Sequence, residues 1–299
     1  MGNLKEIRER IKSVKTTQQM TKAMKMVAAA RLRQAQDRIL SLRPYARKMQ
    51  EIIDDIQSNI TEEIESPYLS VRPAENILFV VITSNRGLCG GFNSNLLKET
   101  VVFVEQNYPN QKAAGNVKFL CIGRKAFEFF RRLKLPQIGQ NHDVFADLRF
   151  ESVSGVAEIV MKGFEGKEWD RVHICYNEFK NVVVQNRRIE QYLPIAAAEV
   201  AQEEKKKSGF NVDYIFEPDR EEIMAELIPQ SLKIRFFKSV LESNAGEQGA
   251  RMTAMDNATE NAEELLKGLK LAYNRARQAT ITTEILEIVG GAEALRQGS

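Results

Sequence analysis

Histidine and tryptophan are nearly absent from this chain of 299 residues, with two of the first and one of the second, and only three cysteines occur. Cys89, Cys121 and Cys175 are far apart and odd in number, and they never take C-x-x-C spacing. That excludes a disulfide scaffold and points to a reducing compartment. So few thiols and imidazoles also make a zinc centre improbable. His142 and His173 read as surface or satisfied core residues rather than as an acid–base pair. No apolar run approaches the roughly 18 residues of a membrane helix. The opening Met1-Gly2-Asn3-Leu4-Lys5-Glu6 has no apolar signal core, and Glu6 and Glu9 argue against a transit peptide. No Ser/His/Asp or Cys/His constellation stands out, so the reading is of a non-enzyme with no catalytic residue, metal or cofactor.

A strong local charge bias is present, although the whole chain carries only +3. Residues 1–50 hold thirteen lysines and arginines against three acids, and residues 51–65 then turn acidic. The same basic segment has a sustained 3.5-residue apolar period from Leu4 through Ile7, Ile11 and Val14, and again from Ala28 to Ile60. Such a period predicts a coiled-coil helix. Only Gln18, Thr21 and Lys25 interrupt it, beside Met20, Met24 and Val27. There the helix is expected to lose or change its partner. A bend is expected at Pro44, and an end at Pro67 and Pro73. A matching period runs from Ile234 to Thr280 after a start at Pro218-Asp219, with a second bend at Pro229 and a C-cap at Gly290-Gly291. The two helices are expected to pair with each other, antiparallel. Parallel dimerisation through the first is the rival.

Between the helices the pattern changes. Asn76–Thr83 is an almost unbroken apolar run, as in a strand buried on both faces. Strands are also read at 117–122, 171–176 and 182–189, and helices at 93–106, 124–133 and 151–163. This alternation predicts a Rossmann-like α/β domain with a largely parallel sheet. The expected division is a coiled-coil helix over 1–66, an α/β domain over 74–198, a charged linker loop over 199–219 that is mobile at 199–209, and a second coiled-coil helix over 220–299. The loop Arg86-Gly87-Leu88-Cys89-Gly90-Gly91 follows the first strand but matches neither glycine-rich phosphate motif. It reads as a structural turn in which Gly87, Gly90 and Gly91 supply backbone freedom and Arg86 and Asn85 hold the loop. The basic rod itself admits a nucleic-acid partner or an acidic protein partner. Against the first, its charges are interleaved with the apolar seam instead of preceding it.

Four stretches resemble the γ subunit family of F-type ATP synthases: residues 6–36 (EIRERIKSVKTTQQMTKAMKMVAAARLRQAQ), 83–93 (TSNRGLCGGFN), 250–262 (ARMTAMDNATENA) and 273–295 (YNRARQATITTEILEIVGGAEAL). The resemblance covers the whole chain and implies a rotor shaft. In that family the paired terminal helices turn inside a ring of three α and three β subunits, and the middle domain joins the ε subunit on the membrane ring of c subunits. The chemistry belongs to β. The resemblance implies partner contacts at Lys22, Met24, Lys25, Arg251, Arg277, Gln278, Thr282 and Glu284, and a foot on the c ring and ε at Tyr214, Phe216, Glu217 and Asp219. It implies a peripheral protein on the cytoplasmic face of a bacterial inner membrane. A basic coiled-coil nucleic-acid binder is the alternative.

Overall fold

The computed structural model describes residues 4–58, 66–141, 143–145, 148–195 and 220–297. The expectations for His142, the linker 199–219, its mobile stretch and the foot residues Tyr214, Phe216, Glu217 and Asp219 therefore lie outside the described residues. The chain divides into two units: Ala28–Arg251, and a second made of Met1–Val27 with Met252–Ser299. Two long helices, α1 (Leu4–Ser58) and α6 (Arg220–Gln297), contribute to both.

In the larger unit β1 (Ile77–Ile82), β2 (Val117–Ile122), β3 (Gln137–Asn141), β4 (Arg171–Phe179) and β5 (Gln185–Leu193) form one sheet in the order β3-β2-β1-β4-β5. The β1–β2, β1–β4 and β2–β3 pairs are parallel, and β5 closes the sheet antiparallel to β4. Helices α2 (Phe92–Asn107), the single-turn α3 (Pro109–Ala113), α4 (Arg124–Arg132) and α5 (Phe150–Glu165) supply the connections. All six residues of β1 are buried. Because side chains alternate across a strand, Leu78, Val80 and Ile82 enter one core with α5, α1 and α6, while Ile77, Phe79 and Val81 enter another with α2 and α4. Each such fully buried side chain contributes about 1.5–3 kcal/mol, which is why the continuous apolar run reads so clearly.

Most of the α6 segment of this unit is buried. Ile228, Leu232, Ile234, Phe236, Phe237, Val240, Leu241 and Ala245 are all in the core that also holds Leu32, Ala35 and Ile39 of α1. A narrower polar stripe remains, with Lys238 exposed and Lys233 and Arg235 half-buried and paired with Glu158 and Glu190. Directional contacts add to the packing: Tyr192 Oη donates to the Leu232 carbonyl at 2.9 Å, and the Phe179 N–H donates to Glu242 Oε2 at 3.1 Å.

In the smaller unit α1 and α6 pair antiparallel. Arg8 meets Tyr273, Thr21 meets Thr259 and Lys25 meets Asp256, so numbers rise on one helix as they fall on the other. Along α1 the predicted seam positions from Leu4 to Met49 are all buried or half-buried. The polar break in the seam is not a loss of partner, while the change of partner also expected there has a counterpart in the division of the units at Val27–Ala28. Thr21 Oγ1 and Thr259 Oγ1 lie 2.8 Å apart, and Lys25 Nζ sits 2.5 Å from Asp256 Oδ1. Polar groups on one helix are answered by polar groups on the other.

Three further differences have local causes. α6 runs through Gly290-Gly291 to Gln297, so the expected C-cap there is wrong. Each glycine costs about 1 kcal/mol, too little to stop a helix that continues into Ala292, Ala294 and Leu295. The strand expected at 182–189 begins at Gln185, because Asn181 Oδ1 accepts the N–H groups of Val183 and Val184 and folds the valines into a turn. Strand β3 was not expected, since Gln-Ile-Gly-Gln-Asn carries almost no apolar signal. α1 and α6 are unbroken at Pro44 and Pro229.

Candidate functional site

β1 and β4 lie side by side and parallel, and from their C-terminal ends the chain leaves β1 toward α2 on one face and leaves β4 through the hairpin to β5. Doubly wound folds place ligands in a crevice outside the carboxyl ends of such strands. In this chain it is filled by α6. A Cβ built on Gly246 would stand 3.3 Å from the Asn177 carbonyl and from Phe92 Cε2. One on Gly249 would stand 3.3 Å from the Val182 carbonyl. The two glycines thus let α6 seat against the β4–β5 hairpin, a role that the apolar period did not disclose.

One turn further along α6, Arg251 closes the crevice from the other side. Its guanidinium pairs with Glu247 and donates to the carbonyls of Arg86 and Gly87 at 3.1 and 3.2 Å. Both members of the ion pair are largely buried, with side chains 15% and 10% exposed. Burial pushes the Glu247 carboxyl upward, and Arg251 opposes that shift. The loop after β1 offers carbonyl oxygens to the crevice. An anion-binding loop must offer N–H groups, so this one has the wrong polarity for a phosphate.

The loop is tied internally as well. Asn93 Oδ1 accepts from the Ser84 N–H at 2.9 Å, and Asn93 Nδ2 donates to Ser84 Oγ at 2.7 Å and to Cys89 Sγ at 3.2 Å. Ser84 Oγ donates to the Arg86 carbonyl at 2.6 Å. Gly90 takes a left-handed conformation (φ 58°), as a glycine turn should, but so does Leu88 (φ 64°), which is 63% exposed. Gly91 caps α2, where an added Cβ would meet the Asn95 side chain at 2.7 Å. Gly87 has open space around it. The anchors are Ser84, Asn93 and Arg251, while Asn85 Oδ1 accepts from the Arg124 N–H at 3.0 Å. The Arg86 side chain is exposed. Sequence reading placed Arg251 and the glycine turn in separate groups, and the structure brings them together.

The remaining expected contact residues lie on the smaller unit. Lys22 is exposed and Met24 is 38% exposed, with Met20 and Val27 more so. Lys25 is held by Asp256. Arg277, Gln278, Thr282 and Glu284 are all exposed on α6, and every side chain described from Arg277 onward is exposed. Among these are Ile281, Ile285 and Ile288, spaced along one helical stripe and 46%, 54% and 71% exposed.

Groups that could do chemistry are buried in apolar surroundings instead. His173 stacks on Phe79 at 5.0 Å, and its Nε2 lies 2.8 Å from Tyr108 Oη. Burial, with Arg171 nearby, drives its pKa down to about 4. Burial pushes the Cys121 and Cys175 thiols up to about 12, so neither is a nucleophile at neutral pH. Among the described residues no group of three or more His, Cys, Asp or Glu could hold a metal ion, and no helix is long and apolar enough to cross a membrane.

Comparison with known proteins agrees with the fold and the sequence signature. Residues 3–295 match the family described as ATP synthase. The ATP synthase gamma chain of Cytophaga hutchinsonii is 51% identical, with 99% of each chain covered. A chain from the mitochondrial ATP synthase central stalk and c ring of Tetrahymena thermophila is 26% identical, with 80% of this chain and 99% of that one covered and a TM-score of 0.57. A chain of the Euglena gracilis mitochondrial ATP synthase, 22% identical with 99% and 95% coverage and a TM-score of 0.67, shares the fold. The chain belongs to the ATP synthase gamma chain family, the non-catalytic central-stalk subunits of F-type ATP synthases.

Proposed function

We propose that this chain is the rotor shaft that carries rotation between a proton-driven c ring and the catalytic sites of a ring of three α and three β subunits. The observation that carries the reading is the bare end of α6. From Arg277 onward no described side chain is buried, yet Ile281, Ile285 and Ile288 form an apolar stripe there. An exposed apolar patch of this kind marks a binding surface, and a sleeve formed by the tops of α and β suits it. Lys22, Met24, Lys25, Arg277, Gln278, Thr282 and Glu284 face that ring in this reading, with the basic surface of residues 1–50 opposite acidic loops of β, whereas Arg251, also expected there, is engaged within the chain by Glu247 and the β1–α2 loop. Tyr214, Phe216, Glu217 and Asp219 serve the foot on ε and the c ring. The divisions 1–66, 74–198, 199–219 and 220–299 then correspond to shaft, foot domain, foot loop and shaft.

Coupling follows from symmetry. A single asymmetric shaft makes different contacts with three otherwise equivalent neighbours. Contacts that differ between conformations are what shift a conformational equilibrium, so turning the shaft moves each catalytic site through its states in sequence. The protein sits peripherally, on the cytoplasmic face of the bacterial inner membrane, through its complex. Family membership favours this reading over nucleic-acid binding.

Native mass spectrometry of the chain mixed with separately made α and β subunits tests the proposal. One copy bound to a three-plus-three ring, with ATPase activity appearing, is expected. A stable homodimer that ignores α and β overturns it.

A further inference from the structure

We propose that Arg251 and Glu247 are positioning residues for torque transfer, fastening the β1–α2 loop to α6 so that the α/β unit and the helix turn as one body. The inference rests on the rotor reading for its purpose and on geometry for its mechanism. The α6 segment from Ile228 to Ala245 is held to the sheet by an apolar core. Hydrophobic burial is non-directional. It resists separation of helix and sheet, and the fit of side chains with bonds such as Tyr192 Oη to the Leu232 carbonyl and Arg235 to the Gln191 carbonyl fixes the angle of the helix about its own axis over that stretch. A shaft must resist rotation about that axis.

Directional contacts at the C-terminal end of the sheet extend that constraint to residues 242–251. On one side Glu242 accepts the Phe179 N–H of β4 at 3.1 Å, and Gly246 and Gly249 seat against the Asn177 and Val182 carbonyls. On the other side Arg251 spans Glu247 and the carbonyls of Arg86 and Gly87. The guanidinium is a planar fork with fixed donor directions, and charge-assisted bonds are the strong ones. The loop it grips is itself stiffened by Ser84 and Asn93. Two loops thus grip α6 from either side over residues 242–251. Glu247 reaches the loop through its charge, felt at Cys89, and through Arg251. It holds the guanidinium in place and neutralises a largely buried charge.

Two variants separate positioning from bulk stability. Arg251→Lys keeps the charge opposite Glu247, but an ammonium cannot span the carboxylate and both carbonyls. Arg251→Met with Glu247→Met removes both charges together, so that neither is left buried alone and the chain stays folded. Hydrogen exchange on the full chain reads the fastening. Amides of residues 86–92 are expected to exchange roughly ten- to hundredfold faster in both variants, from the loss of charge-assisted bonds, with the amides of β1 and β4 unchanged. In the assembled complex in sealed vesicles, protons pumped per ATP hydrolysed are expected to fall by about half or more while ATPase changes less than twofold. Unchanged loop exchange overturns the fastening. A freed loop with full pumping overturns its role in torque transfer. Failure of the wild-type chain to assemble into a pumping complex sinks the rotor reading instead, and leaves the exchange result standing.

Discussion

Two glycines on α5 should respond in opposite directions to the same added methyl group. Gly155 is exposed, with nothing within 4 Å of a built Cβ. Gly155→Ala gains helix propensity, about 0.5–1 kcal/mol. At Gly163 a Cβ would fall 1.9 Å from Trp169 Cζ2 and 2.3 Å from Cη2. The ring cannot easily yield, because Trp169 is buried and its Nε1 donates to the Val160 carbonyl at 2.8 Å. Overpacking costs about 1–3 kcal/mol, and displacing the indole adds about 1–3 kcal/mol for an unsatisfied buried donor. Set against the propensity gain, Gly163→Ala loses about 1–5 kcal/mol. For a domain of this size each kcal/mol moves Tm by about 2–4 °C. Gly163→Ala should therefore melt about 2–20 °C lower, and Gly155→Ala about 1–4 °C higher. Trp169 is the only tryptophan, so thermal melts followed by its fluorescence report on the site directly. A Gly163→Ala protein that melts with the parent, or a Gly155→Ala protein that falls as far, would refute the packing argument.

His173 should make the α/β unit acid-sensitive. Its folded pKa is lowered from 6.5 to about 4 by burial and by Arg171, so the neutral ring is the folded form. Stability from this group is complete above pH 6.5 and is lost as pH falls toward about 4, at most about 3 kcal/mol. His173→Phe keeps the stack on Phe79, and its urea midpoint should vary less with pH over that window than the parent's. Lys25→Met should cost less than about 1 kcal/mol, because the ion pair with Asp256 is about 40% exposed on both sides. Raising the salt from 50 to 500 mM should erase about half or more of that difference in helix melts by circular dichroism. Deleting residues 284–299 should leave the Tm of the isolated chain within about 2 °C, since the exposed stripe stabilises nothing within it. The same deletion should weaken assembly with α and β by about tenfold or more, as measured by titration.

The readable parts of this sequence were those governed by a period. The seam from Leu4 to Met49 and the run Ile77–Ile82 repeat one requirement many times, so a few exceptions do not obscure them. What stayed hidden depends on single contacts between distant segments. Gln18, Thr21 and Lys25 looked like a fault in the seam, because nothing local says that Thr259 and Asp256 lie opposite. Val182-Val183-Val184 looked like a strand, because one side-chain oxygen on Asn181 outweighs three β-branched residues. Gly246 and Gly249 read as a small loss of helix propensity, whereas they are the surface that meets the hairpin.

Those glycines also set what can occupy the C-terminal ends of β1 and β4. Doubly wound sheets bind ligands in a crevice outside the carboxyl ends of their strands. The choice for such a fold is between filling the crevice with a ligand and filling it with its own chain. α6 enters it with glycines where backbone must approach backbone, and with Arg251 where a loop turns its carbonyls inward. A phosphate there would face those carbonyl oxygens and Glu247, so the loop and the helix are complementary to each other and not to an anion. The position at which related architectures bind a ligand thus becomes the joint between sheet and helix. A joint made of directional bonds is the device a domain needs if it is to turn with a helix passing through it.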